Sequence, residues 1–153
     1  MSGSTRFYLS CRVGREWYGI DADCILKVLR LVALTELPDA SPDVLGLMTL
    51  SDRVMPVIDL RRRFGLSDVS FQLETPIVAV ETPHGPVGLV VDDADDIKAL
   101  DESQVTLTDN SESPYIVGVA RWSDHLLLLL DTSKLGAKTR TADGNIVSTP
   151  AQN

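Results

Sequence analysis

Residues Phe7 to Val13 alternate: Phe7, Leu9, Cys11 and Val13 fall on one side, Tyr8, Ser10 and Arg12 on the other. That two-residue period predicts a half-buried β-strand. Gly14-Arg15-Glu16 predicts a turn and Trp17 to Ile20 a return strand, so the chain opens on a hairpin. Asp21 to Leu31 supplies Ile25, Leu26, Val28, Leu29 and Leu31 in a pattern that fits one helical turn running into a strand. Pro38 and Pro42 punctuate a loop in which Ser41 or Asp43 is placed to cap a short turn. Two short strands, Gly46 to Leu50 and Arg53 to Asp59, are expected around a tight turn at Ser51-Asp52. Met55 to Ile58 is apolar at every position, hence buried on both faces; Pro56 has no N–H for a ladder and predicts an edge or a bulge. Leu60 to Phe64 predicts a short helix ended by Gly65 in a left-handed cap.

The second half follows the same logic. Pro76 to Glu81 and Pro86 to Val91 read as strands around a turn at Thr82 to Gly85. Asp92 to Asp96 is expected to leave the sheet, Ile97 to Leu100 to re-enter it, and Glu102 to Pro114 to form a polar connection. Gly118 to Trp122 and His125 to Asp131 predict another hairpin. From Gly136 the chain is polar and unpatterned, so residues 1–136 read as the domain and 137–153 as a flexible tail.

One relation organises these elements. At an offset of 72 positions Gly46 meets Gly118, Ser51-Asp52 meets Ser123-Asp124, and Asp59 meets Asp131. Many short strands with little helix predict an all-β fold, and the repeat, carried by residues 7–65 and 75–136, predicts two small barrels related by a pseudo-twofold.

Composition narrows the function. Aromatic residues are only 5% of the chain, so the core must come from Val, Leu and Ile. A net charge of −8 opposes a general phosphate-binding role and argues against nucleic acid. Cys11 and Cys24 lack metal or redox spacing and read as small buried hydrophobes in a reduced, cytosolic protein. No segment has the length of an apolar membrane span, so direct membrane insertion is not expected.

No residue set points to catalysis. Ser123, Asp124 and His125 are consecutive in a turn, where side chains do not converge on one reacting atom. The acidic run from Asp92 to Asp96 lacks the central Gly and terminal Glu of a calcium loop and reads as solvated. Arg61, Arg62 and Arg63 read as complements to a helix dipole rather than a basic patch. Asp59 and Asp131 read as structural caps. No cofactor or metal is expected, and no enzymatic activity.

Several blocks together carry a resemblance: Trp17-Tyr18-Gly19-Ile20-Asp21, Ile25-Leu26-Lys27-Val28, VLGLMTLSDRVMPVIDLRRRFG over residues 44–65, VGLVVDDADDI over 87–97 and YIVGVARWSDHLLLLLDTSKL over 115–135. From about Phe7 to Leu135 the chain resembles the CheW-like domain of bacterial chemotaxis coupling proteins. The resemblance implies two intertwined five-stranded SH3-like barrels. It also implies an adaptor that joins the cytoplasmic tips of chemoreceptors to the regulatory domain of a CheA-type histidine kinase at membrane receptor arrays. The kinase would meet barrel ends, which also offer weak self-association, and the receptor helix an apolar groove between barrels.

Carried onto this sequence, the groove residues are Ile25, Val28, Gly88, Val90 and Ile97, with Lys27, Ser51 and Arg53 on the rim. The chain departs from the family twice. Thr49-Leu50-Ser51-Asp52 stands where the family commonly reads Asn-Leu-Arg-Gly, and Lys27 replaces an acidic residue. Arg53 lies two positions beyond Ser51, on the same strand face, where it is placed to substitute for the missing arginine. These changes at the rim make an adaptor of a different sensory array the alternative of the same fold. A small β-barrel enzyme or ligand sensor is the alternative of another class.

Overall fold

The computed structural model describes residues 4–66, 75–108, 113–136, 138–140 and 146–148. Its first hairpin joins β1 (Thr5–Val13) to β2 (Glu16–Asp21). A 3-10 turn at Ala22–Cys24 leads into β3 (Ile25–Arg30), and a loop into the hairpin of β4 (Val44–Leu50) and β5 (Arg53–Asp59). The α-helical turn α1 (Leu60–Arg63) follows, then the hairpin of β6 (Pro76–Thr82) and β7 (Gly85–Val90). After β8 (Asp93–Asp101), a 3-10 turn and the short β9 (Val105–Leu107) lead to the hairpin of β10 (Ile116–Trp122) and β11 (His125–Leu130).

Two sheets result, one ordered β3-β6-β7-β5-β4 and the other β8-β1-β2-β11-β10-β9. Position by position the orders correspond: β3 to β8, the β6–β7 hairpin to β1–β2, and the β4–β5 hairpin to β10–β11. In each sheet one hairpin meets the next through a parallel pair, β5 with β7 and β11 with β2. Strands are exchanged, because β3 pairs with β6 and β8 with β1. Neither copy of the repeat completes a sheet alone, so the barrels are intertwined.

Burial follows the strand period. Met55, Val57, Ile77, Ala79 and Val90 fill one barrel. Leu100, Ala120, Leu127 and Leu129 fill the other, with Trp17 and Trp122 packed against them. The alternate positions, among them Leu9, Cys11, Ile20, Ile58, Val78, Val80, Leu89 and Leu130, meet in a third core between the sheets. Consecutive apolar residues in β5 therefore supply two different cores.

The repeated glycines have one cause. A Cβ on Gly46 would stand 2.6 Å from the carbonyl oxygen of Thr35, and one on Gly118 would stand 3.1 Å from that of Thr106. In both copies the preceding segment crosses close over the hairpin, excluding a side chain at Gly46 and crowding one at Gly118.

Several expectations need correction. Asp93 to Asp96 does not leave the sheet: β8 is continuous, with Asp93 opposite Arg12, Ala94 opposite Cys11 and a bulge before Ile97 meets Leu9. The bulge breaks the alternation that a sequence pattern relies on. The connection from Glu102 contains a capped 3-10 turn and β9 rather than only irregular chain. Pro56 lies on neither an edge strand nor a bulge. Its missing N–H is tolerated because the pairing of β5 with β7 begins one residue later, at Val57. Ser51 and Asp52 both take positive φ, 48° and 70°, the geometry of a type I′ turn. Gly65 closes α1 with φ 82°, as expected. Within the tail, Lys138–Arg140 pairs antiparallel with Ile146–Ser148, and the rest of the flexible-tail expectation lies outside the described residues.

Candidate partner-binding groove between the two barrels

β3 and β8 are end strands of their sheets and occupy equivalent places in them. Ile25 is opposite Val80 and Val28 opposite Val78, both residues of the inter-barrel core, so Ile25 and Val28 share that face of β3. Ile97 is opposite Leu9, likewise a residue of that core, and Phe7 lies two positions from Leu9 on the same face of β1. The inter-barrel core thus ends in an apolar border: Ile25 is half-buried, while Val28, Ile97 and Phe7 are 45%, 52% and 51% exposed. Leu26, at the bulge of β3, is exposed beside them. Sequence reasoning missed Phe7 and Leu26; the Phe7 alternation correctly gave its face but not that the facing sheet stops short of it.

Gly88 and Val90 do not join this surface. Gly88 is buried at the parallel pairing with Val57, and Val90 is fully buried inside one barrel. Their place on β7, second from neither free edge but mid-sheet, denies them to a partner.

The three rim positions behave differently. Ser51 sits exposed in the type I′ turn, where its backbone conformation rather than its hydroxyl is set. Arg53 is already engaged: its guanidinium donates in bidentate fashion to both oxygens of Glu81 at 2.8 Å. That pair holds the Glu81 carboxyl below its usual range, through the hydrogen bonds from Arg53 first. Arg53 therefore does not stand free as a replacement for an arginine at position 51. Lys27 is exposed, between the apolar Leu26 and Val28.

The arginine run has a structural task. Arg61 is buried, with Nε donating to Asp59 at 3.1 Å and Nη1 to Asp92 at 2.9 Å. Arg63 pairs with Asp43, and Arg62 donates to the Pro42 carbonyl. These cross-links replace the expected dipole role, for which a helix of four residues offers little. Asp92 also accepts the Gly14 N–H at 2.6 Å, so it is not part of a solvated acidic loop. Asp59 and Asp131 do cap the turns that follow them, accepting from the N–H groups of Arg61 and Ser133.

A second hollow, of about 740 Å³, lies beside α1 and is lined by Tyr18, Arg63, Phe64, Tyr115, Ile116 and Leu128 among others. Its rings pack in tilted pairs, with centroids 5.2 Å (Tyr18 to Phe64) and 5.6 Å (Phe64 to Tyr115) apart. Among the described residues no three His, Cys, Asp or Glu side chains are grouped to hold a metal ion. No helix among them is long and apolar enough to cross a membrane.

The model of the CheW-like domain family matches residues 8–140. The chain belongs to the CheW-like domain family. It is 26% identical to the chemotaxis protein CheW of Klebsiella aerogenes over 132 residues, covering 84% of this chain and 80% of that protein. To the chemotaxis protein CheW of Helicobacter pylori it is 30% identical over 128 residues, covering 80% and 76%. The crystal structure of the scaffolding protein TtCheW from Thermoanaerobacter tengcongensis shares its fold, with a TM-score of 0.77 at 23% identity over 84% of this chain and 90% of that one. CheW-like proteins of this kind are non-enzymatic adaptors of chemotaxis signalling, and this chain is one of them. Nothing favours the enzyme, the ligand sensor or the adaptor of a different array.

Proposed function

We propose that the chain links the cytoplasmic tip of a chemoreceptor to the regulatory domain of a CheA-type histidine kinase, and that the receptor helix lies along the border between β3 and β8. One observation carries this reading: Ile25 and Ile97, 72 positions apart, occupy corresponding end strands and leave the inter-barrel core unfinished on one side. An amphipathic helix completes such a core by laying its apolar face across it. Lys27 would meet an acidic group at the helix margin, with Ser51 and the Arg53–Glu81 pair farther along the rim.

Leu107 and Leu126, 79% and 55% exposed on β9 and β11, support a separate contact at a barrel end, suited to a kinase domain of like fold. Recruitment to membrane receptor arrays then follows from the receptor contact, without insertion of this chain into lipid. Affinity capture on a receptor cytoplasmic fragment tests the groove. Ile25→Asp and Ile97→Asp should each abolish capture while Leu126→Asp retains it and loses kinase binding. Unchanged capture by folded Ile25→Asp and Ile97→Asp variants removes the groove.

A further inference from the structure

We propose that Arg61 is a positioning residue that locks the two barrels together at one edge and leaves the opposite edge, beside Cys24, free to hinge. Arg61 follows β5 of the smaller sheet, and its side chain is only 7% exposed. Its Nη1 donates to Oδ1 of Asp92, in the crossing from β7 to β8. The other oxygen of Asp92 accepts the N–H of Gly14, in the β1–β2 turn of the larger sheet, and the Asp92 N–H donates to the Arg12 carbonyl at 2.9 Å. A continuous chain of directional bonds therefore runs from one barrel to the other.

The repeat supplies an internal comparison. At the related positions Asp59 becomes Asp131 and Arg61 becomes Ser133. Asp131 accepts from the N–H and Oγ of Ser133, both within its own turn, and among the described residues its carboxylate makes no bond to the other barrel. A side-chain contact at that edge, between Cys24 Sγ and Thr132 Oγ1, is neutral and 3.7 Å long. Duplicated positions thus hold a buried charged link at one edge and a weak neutral one at the other.

Apolar burial between the sheets is non-directional and tolerates small rotations. Charge-assisted hydrogen bonds in a low-dielectric site are short and directional and do not. Relative motion of the barrels therefore pivots on the Arg61 edge and opens at the Cys24 edge. Ile25, the next residue after Cys24, begins the wall of the groove, so the pivot sets the spacing of the walls that carry Ile25 and Ile97. This consequence rests on the groove proposed above; the lock itself does not.

Residual dipolar couplings of the full chain, fitted separately for the strands of each sheet, measure the lock without any partner. Wild type should give one alignment tensor shared by both barrels. Arg61→Gln should leave each barrel well fitted by its own tensor but with the two tensors different. Asp92→Asn, which keeps an acceptor for Gly14 but loses its charge toward Arg61, should do the same, and Arg61→Lys should restore part of the agreement. Thr132→Val, at the other edge, should change nothing. A common tensor in folded Arg61→Gln and Asp92→Asn overturns the lock, as does global unfolding of both variants. Groove failure is read independently, as unchanged receptor capture by Ile25→Asp.

Discussion

Gly19 and Gly88 face equivalent neighbours in the two barrels: Gly19 is opposite Leu129 across the parallel pair β2–β11, and Gly88 is opposite Val57 across β7–β5. Leu129 and Val57 are themselves 72 positions apart. A Cβ on Gly19 would stand 2.8 Å from Leu129 Cδ2, and one on Gly88 would stand 2.9 Å from Ile77 Cγ2. Both glycines make room for the barrel interior rather than for a turn. Gly19→Ala and Gly88→Ala should each cost about 1–3 kcal/mol through overpacking, measured by urea denaturation. Equal stability of the variants would show that the interiors have slack.

Two arginines of the same protein should behave in opposite ways. Arg61→Ala leaves Asp59, fully buried, and Asp92 without their main cation, and should destabilise the fold by about 3–5 kcal/mol. Arg53→Ala breaks a solvent-exposed pair and should leave the urea midpoint unchanged. In a carboxyl NMR titration of Arg53→Ala, Glu81 should move back up toward its usual value of 4.5, since the hydrogen bonds from Arg53 are what lower it.

The two caps offer a graded comparison. Asp131→Ala removes an exposed cap whose oxygen accepts from the Ser133 N–H at 3.1 Å, and should cost about 1 kcal/mol. Asp59→Ala removes the equivalent cap together with the buried partner of Arg61, and should cost several times as much. Similar losses from the two would mean that the Arg61 link contributes little to stability.

Alkaline pH should weaken the fold. Burial pushes the Cys11 thiol from 9.0 up to about 12, and burial also raises Cys24, Tyr8 and Tyr18. Each of these groups ionises first in the unfolded chain. The stability they hold is complete below the unfolded values and is lost as pH climbs through the raised folded ones. Urea midpoints should therefore fall from about pH 9 upward, and Cys11→Ala should make the decline shallower. At neutral pH a thiol reagent should leave Cys11 unmodified until the protein is unfolded.

Much of the architecture was legible because it is written in short periods. The alternation in β1, the apolar run in β5 and the turn residues at Ser51-Asp52 each follow from local rules, and Asp59 and Asp131 sit where those rules put caps. The misreadings share a cause as well. β8 was hidden by a bulge and an acidic composition, and Pro56 by a parallel pairing that starts one residue later. Of the positions carried over to the groove, Ile25, Val28 and Ile97 lie along the border of β3 and β8, whereas Gly88 and Val90 are buried, because burial depends on which strand lies across.

By itself the sequence determined an all-strand, duplicated protein, because alternation, turn chemistry and repeated glycines act over a few residues at a time, and its motif blocks carried the resemblance to the CheW-like domain. Only the tertiary structure decided which strands exchange between copies, that Arg61 bridges two barrels while Ser133 bridges none, and that Ile25 and Ile97 border one unfinished core. Those relations join residues far apart in the chain, where pairing, burial and directional bonds are settled by packing in space.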